Sequence, residues 1–455
     1  MSVIARKPER PPARGPDDPR YYDPADLEAE MKRAFQICHE CRMCVNYCGS
    51  FPTMFGQIDR AIESGQAVGA ETTREAEWRA VSDECWQCKL CYIKCPYTPD
   101  EGAYEMLDIP RLLSREKAAR AKEEGIPLVD RLLGEPQLLG WGASGKVAAP
   151  VSNFVLASRL VRKVQEVATG ISAEFPLPPF AEQPFSTWMQ KRSASKTQQP
   201  AAEVKGEVVL FATCYGEYNT PASARAAVLV LEHNGYKVHY PGTGEDREED
   251  ALTCCGLPNI DGGHVDGAKE KIRHNVAILA RHVRAGRKVI VLGPSCGYMM
   301  KKEWLDYLDT PDVREVVANT LDVMEFLVVL GKAKQLVRDF KKSLGQVAYH
   351  AACHLRAQKI GFPGQRVLNV VPETEVRMVE SCSAVDGTWG MKAEHYETGR
   401  RYAQKLIKGI ADLEPDVVVS DCTLAGLRIA YEGKTQVLHP VEALARAYGL
   451  VEEGK

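Results

Sequence analysis

Eight cysteines between Cys38 and Cys95 stand in two copies of one spacing. Cys38, Cys41, Cys44 and Cys48 form the first copy. Cys85, Cys88, Cys91 and Cys95, followed by Pro96, form the second. Each reads C-x-x-C-x-x-C-x-x-x-C. Three thiolates at i, i+3 and i+6 can wrap a tight loop around one corner of a small inorganic core. The fourth lies too far round to close the same site and reaches the other one. The spacing assigns Cys38, Cys41, Cys44 and Cys95 to one 4Fe-4S cluster, and Cys85, Cys88, Cys91 and Cys48 to a second. Zinc is held by pairs rather than by a triplet plus one. A disulfide framework belongs to exported chains.

The elements that must position these loops read as helices. Asp23-Pro24 starts one, with Leu27, Met31 and Phe35 on a single face, and it delivers Cys38. Residues 49–84 separate the two cysteine runs. Ile58, Ile62, Ala76 and Trp78 recur there at helical spacing. The doubled run is the bacterial ferredoxin pattern, and with this insert it resembles the helical ferredoxin domain of succinate dehydrogenase-type iron–sulfur subunits. Gly49 follows the first run where that pattern has proline, so an altered tuning of the cluster is expected rather than a loss of binding.

Seven further cysteines complete the fifteen of the 455-residue chain. From Val208 onward, short β-branched runs alternate with amphipathic helical stretches such as 222–234 and 268–285. The runs are 208–212, 289–292, 347–350 and 417–420. This is α/β layering with mostly parallel strands. A repeat lies on it. Cys214 follows the first strand as Cys353 follows a later one. Cys254-Cys255-Gly256 corresponds to Cys382-Ser383, and Cys296 to Cys422. Each copy places thiols at the C-terminal ends of strands, where open α/β sheets bind ligands.

Cys214, Cys254-Cys255-Gly256 and Cys296-Gly297 resemble the CCG cysteine-rich domain. That domain occurs in the B- and D-subunits of heterodisulfide reductase, in the glycolate oxidase iron–sulfur subunit and in the C-subunit family of anaerobic glycerol-3-phosphate dehydrogenase. Residues 349–354 and 386–390 are similar to the second such domain of the C-subunit family. The resemblance implies a multidomain chain: a helical two-cluster ferredoxin domain followed by two α/β CCG domains in tandem. The boundaries read as a disordered or extended arm at 1–22, the ferredoxin domain at 23–125 and a linker at 126–200. The first CCG domain follows at 201–340 and a second, degenerate one at 341–455.

In heterodisulfide reductase each copy ends in C-x-x-C and can build a noncubane cluster. Here Gly293 and Met299 stand at the relevant spacings from Cys296. Cys214, Cys254, Cys255 and Cys296 still suffice for a third iron–sulfur cluster. The alternative is four buried thiols acting as small hydrophobes. The second copy offers Cys353, Cys382 and Cys422 as metal ligands, with Ser383 in place of the paired thiol. His354, Asp386 or Asp421 could complete that site, or the copy is kept for architecture. His350 and His439, at strand ends, read as packing and hydrogen-bonding residues.

The net charge of −3, with signs intermixed, excludes a nucleic-acid footprint. No run of about 18 apolar residues is present, and no apolar segment marks a secretory signal. With this cysteine usage the expected compartment is the cytoplasm, with peripheral attachment to the inner face of the membrane left open. No G-x-G-x-x-G fingerprint follows a strand, so no flavin or nicotinamide site is visible. The family resemblance implies an electron-transfer subunit working between a flavoprotein dehydrogenase and a quinone or other acceptor. The dehydrogenase would act on glycerol 3-phosphate or another 2-hydroxy compound. Disulfide reduction at the first CCG domain and donation to a rubrerythrin-like peroxidase are the alternatives. Residues 154–167 form one amphipathic segment, which could lie on a membrane surface but is expected to pack its apolar side on the protein or on a partner subunit. The proline-rich run 175–185 should wrap a surface in extended form, and 190–205 should be a polar linker.

Overall fold

The computed structural model describes residues 7, 8, 10–194, 204–243, 250–385 and 387–452. The chain divides into two compact units. One comprises residues up to 134 with 258–269 and 306–308, and the other comprises the rest.

The first unit is helical: α1 (Pro24–Cys41), α2 (Ser50–Glu63), α3 (Glu75–Asp83), α4 (Leu90–Lys94), α5 (Ile109–Glu124) and α6 (Leu128–Leu133). The Asp23 carboxylate caps α1 by accepting from the N–H of Ala25 at 2.8 Å and of Asp26 at 3.0 Å, and Pro24 sets the first turn. Leu27, Met31 and Phe35 are buried along one side of α1, and Ile58 and Trp78 meet the same core. Ile62 stays at the surface. Residues 10–22 form no helix or strand, but they are pinned rather than disordered. Tyr21 is buried, and the buried Arg115 of α5 donates to the Tyr21 carbonyl at 2.8 Å and pairs with Asp26 at 2.9 Å.

The second unit begins with α7 (Pro136–Ala143), α8 (Ala148–Ala157) and α9 (Arg159–Thr169). The proline-rich run that follows lacks regular structure up to Phe185, which opens a helix. Its backbone is held by side chains: Asn153 bonds both the N–H and the carbonyl of Phe180, and Asn219 donates to the Pro179 carbonyl at 3.0 Å. The polar linker expected over 190–205 falls largely outside the described residues.

Two parallel four-stranded sheets then follow with the same topology. The first has order β2-β1-β3-β4, built from β1 (Gly206–Phe211), β2 (Tyr236–His239), β3 (Lys288–Val291) and β4 (Thr320–Asp322). The second has order β6-β5-β7-β8, built from β5 (Gly345–His350), β6 (Thr374–Val379), β7 (Val417–Ser420) and β8 (Val437–Leu438). β1 pairs with β3 through Val209↔Val289, and β5 with β7 through Ala348↔Val418. The central strands are continuous apolar runs because helices cover both faces. A single hydrophobic core joins the sheets, with Val208, Leu210 and Ile290 in one cluster with Val347, Tyr349 and Val419. Each sheet reverses its winding between its first and third strands, β1 and β3 or β5 and β7. A doubly wound sheet opens its ligand crevice beyond the carboxyl ends of those strands.

Candidate iron–sulfur centres

Helix α1 ends at the first cysteine loop. Arg42 adopts a left-handed φ of 52°, and its N–H closes on the Cys38 carbonyl at 2.8 Å, so the chain reverses between Cys41 and Cys44. Lys89 takes the equivalent left-handed place in the second loop, with φ of 62°. Four thiols, Cys38, Cys41, Cys44 and Cys95, line one pocket, walled by Ile37, Phe51, Phe55 and Leu107. Burial, then the neighbouring Cys95, Cys44 and Cys41, push the Cys38 thiol up. Cys48 faces the other way. Burial and the adjacent Cys85 push its thiol up to about 12, and Cys91 is raised by burial and by Cys48 and Cys85. The fourth cysteine of each run thus lies with the other run's triplet. Backbone N–H groups of Ser50 and Phe51, at the start of α2, point at the Cys48 sulfur and favour its thiolate form. At Gly49 an added Cβ would stand 2.4 Å from the Glu84 carboxylate, so the loop closes there around a residue with no side chain.

In the second unit Cys214 follows β1 in the short helix Thr213–Tyr218, and Cys296 follows β3 in the helix Pro294–Tyr298. They stand at the carboxyl ends of the two strands that flank the crevice. Cys254 and Cys255 come from the loop after β2 and are both buried. That loop is fixed from behind. The buried Asn275 accepts from the Thr253 N–H at 2.9 Å and donates to the carbonyls of Thr253 at 3.4 Å and Cys254 at 3.0 Å. Trp304 Nε1 donates to the Cys255 carbonyl at 3.0 Å, and Gly256 turns the chain at φ of +96°. The thiols form a chain from Cys214 through Cys254 and Cys255 to Cys296. Contact with Cys254 and then burial hold the Cys214 thiol up, and contact with Cys254 and Cys296 does the same for Cys255.

Cys353, Cys382 and Cys422 occupy corresponding places beyond β5, β6 and β7. His354 Nδ1 bonds Ser295 Oγ at 2.9 Å, and its ring stacks on Tyr298 at 5.2 Å. Gln358 Nε2 donates to the Pro294 carbonyl at 3.1 Å. The helices bearing Cys296 and Cys353 therefore pack on each other, and the half-buried Tyr215 lies near Cys214 and Cys422 alike. Asp421 is engaged by Tyr349 Oη at 2.5 Å, and burial together with Asp322 pushes it up to about 8. Asp386 lies outside the described residues. His350 bonds Ser420 Oγ at 2.9 Å, and His439 caps the Val441 N–H at 3.2 Å, so both are structural.

Residues 37–100 match the family described as the 4Fe-4S dicluster domain, and residues 208–301 and 347–428 match the cysteine-rich domain. The chain is an iron–sulfur protein of the cysteine-rich-domain type. Its relatives include the C-subunit of the anaerobic glycerol-3-phosphate dehydrogenase of Escherichia coli (strain K12), 25% identical over 303 residues, which are 66% of this chain and 72% of that protein. Lactate utilization protein A of Geobacillus kaustophilus is 28% identical over 252 residues, 52% of this chain and 98% of the relative. The D-subunit of the dihydromethanophenazine:CoB–CoM heterodisulfide reductase of Methanosarcina mazei is 29% identical over 264 residues, 54% and 60% of the two chains.

The donor set suits iron–sulfur binding. Buried thiols held up by one another cannot all ionise unaided, and a cationic iron core offsets that repulsion. Sequence reasoning missed the buried Lys89, which donates to Gln87 Oε1 at 2.9 Å, while Gln87 Nε2 donates to Cys85 Sγ at 3.5 Å. A lysine inside a cysteine motif was the available signal. It also missed Asn275 and the facing of the two cysteine-rich domains, which no local spacing announces.

Proposed function

We propose that the chain is the electron-transfer subunit of an oxidoreductase complex, with two 4Fe-4S clusters in the dicluster domain and a third iron–sulfur cluster in the first cysteine-rich domain. The ligands would be Cys38, Cys41, Cys44 and Cys95; Cys85, Cys88, Cys91 and Cys48; and Cys214, Cys254, Cys255 and Cys296. The reading rests above all on the placement of Cys95 with the first triplet and of Cys48 with Cys85 and Cys91. Clusters held there supply one-electron transfer and make no bond to an organic substrate. The chain's own residues hold the thiolates, keep water out with Phe51, Phe55 and Leu107, and place the Lys89 charge beside one site. The second cysteine-rich domain has Ser383 in place of a fourth thiol, so its occupancy is lower or nil.

The donor is a flavoprotein dehydrogenase acting on glycerol 3-phosphate or another 2-hydroxy compound, and the acceptor is a quinone or a soluble redox protein. The support is the naming of relatives as a glycerol-3-phosphate dehydrogenase component and a lactate utilization protein. The test is affinity purification of the full chain from its native cells under anaerobic conditions, followed by addition of glycerol 3-phosphate or lactate. Co-purification of a flavoprotein and substrate-dependent bleaching of the cluster absorbance are expected. A preparation free of flavoprotein that reduces disulfides catalytically with a reduced viologen dye as electron donor would overturn the reading. It would favour thiol–disulfide chemistry at the first cysteine-rich domain.

A further inference from the structure

Helices α1, α3 and α5 of the first unit wall a cleft of about 690 Å³. No cysteine lines it, so the iron–sulfur reading leaves it without a role. Its volume falls within the range of small-molecule sites, roughly 300–1,000 Å³. Leu27 of α1 and Trp78 of α3 are buried in its lining. The Trp78 indole N–H donates to Thr73 Oγ1 at 3.1 Å, and the Thr73 hydroxyl donates to the Ala70 carbonyl at 2.7 Å. The polar atoms of both residues are thus spent, and what the indole offers a ligand is its aromatic surface.

Glu116 of α5 is the one buried charged side chain among the described residues that line the cleft. It is 3% exposed, and its Oε2 has no hydrogen-bond partner. Arg120 Nε stands 3.7 Å from Glu116 Oε1, beyond hydrogen-bond reach, and the same guanidinium is committed to Asp83 at 2.7 Å and 3.2 Å. Burial pushes the Glu116 carboxyl up, and the Arg120 charge and the Ser82 hydroxyl offset that only in part. A buried carboxylate so poorly paired costs free energy that a donated N–H⁺ recovers. The remaining charges lie toward solvent. Lys32 pairs with Glu28 at 2.6 Å, Arg74 and Glu123 are exposed, and Lys122 Nζ lies 3.9 Å over the Tyr22 ring. That last contact shows an aromatic ring of this cleft already attracting an ammonium. An anion would meet Glu116 at the buried end, and a neutral apolar molecule would leave its oxygen unpaired. We infer that the cleft binds an organic cation, a primary amine on an apolar body, with the ammonium on Glu116 and the body against Leu27 and Trp78. The site uses no cysteine, so it stands or falls apart from the electron-transfer reading.

The test is equilibrium dialysis of the anaerobically purified full chain against phenethylamine, with 2-phenylethanol and 3-phenylpropionate as neutral and anionic counterparts of similar size. One equivalent of phenethylamine should bind, and both counterparts should bind at least about tenfold more weakly, because neither supplies a charged donor to the carboxylate. E116Q keeps the volume and removes the charge, so it should weaken phenethylamine by about tenfold while leaving 2-phenylethanol unchanged. A119W places a large ring in the cleft from a half-buried position and should abolish binding. Iron content should stay at the wild-type value in both variants. If E116Q folds poorly, A119W and the two counterparts decide the matter. No binding of phenethylamine, equal binding of 2-phenylethanol, or phenethylamine binding that folded E116Q or A119W leaves unchanged would overturn the inference.

Discussion

Replacing Lys89 with methionine should make the cluster held by Cys85, Cys88, Cys91 and Cys48 harder to reduce. The side chain is buried, and its ammonium reaches Cys85 Sγ through a single intervening amide, at 2.9 Å and 3.5 Å contacts, so it lies within roughly 9 Å of that sulfur. Two unit charges at that separation interact by about 2 kcal/mol at an effective dielectric near 20. Adding an electron makes the cluster more negative, so the cation favours the reduced state. For a one-electron couple about 60 mV corresponds to 1.4 kcal/mol, so the variant should titrate about 80 mV lower. Arginine at the same place should restore most of the difference. The assay is a redox titration followed by electron paramagnetic resonance, which separates the two clusters. The equivalent Arg42 is exposed, and Arg42→Met should move its own cluster far less because water screens it. A shift confined to the cluster of Cys38, Cys41, Cys44 and Cys95, or none at all, would refute the placement of this charge.

Cys48→Ser should damage the cluster of Cys85, Cys88 and Cys91, and Cys95→Ser that of Cys38, Cys41 and Cys44; damage confined to the triplet nearest in sequence, seen by resonance on each variant, would disprove crossing. Asn275→Ala removes three hydrogen bonds to the Cys254 loop, so the second unit should lose about 3 kcal/mol in denaturant unfolding together with part of its iron, and Asn275→Asp should fall between. His439 is held neutral by burial, its pKa lowered to about 3. The unfolded chain binds that proton and the folded chain does not, so stability should fall as pH drops below about 6.5. His439→Asn, which can still cap Val441, should flatten that slope in unfolding midpoints between pH 5 and 7, and an unchanged slope would remove His439 as its source.

The parts legible from sequence were those fixed by local spacing. The two cysteine runs, the cap at Asp23 and the central strands β1, β3, β5 and β7 each carry their signal within a few residues. β2, β4, β6 and β8 did not stand out. β4 and β8 are very short, and the outward side chains of β2 and β6 interrupt their apolar pattern. The arm at 1–22 reads as disordered or extended from its prolines and charges; its end at Arg20 and Tyr21 is held by Arg115, distant in sequence. Residues 154–167 read as one amphipathic segment, but the chain breaks at Ser158 between α8 and α9. Which side faces inward was decided by Arg162 and Glu166 finding backbone partners at 172–175, a tertiary fact with no local trace. The same holds for the contacts of His354, which sits beside Cys353 in sequence, bonds Ser295 and stacks on Tyr298.

The central claim is that buried thiolates of this chain hold iron–sulfur clusters that carry single electrons. Counting iron, acid-labile sulfide and zinc in the anaerobically purified full chain, with electron paramagnetic resonance of the dithionite-reduced sample, tests it most directly. The account predicts about eight irons and eight sulfides from the dicluster domain, with signals from two interacting reduced clusters, and further iron lost on Cys255→Ser but not on Cys382→Ser. Stoichiometric zinc without sulfide, or fifteen titratable free thiols in a colourless folded protein, would contradict it.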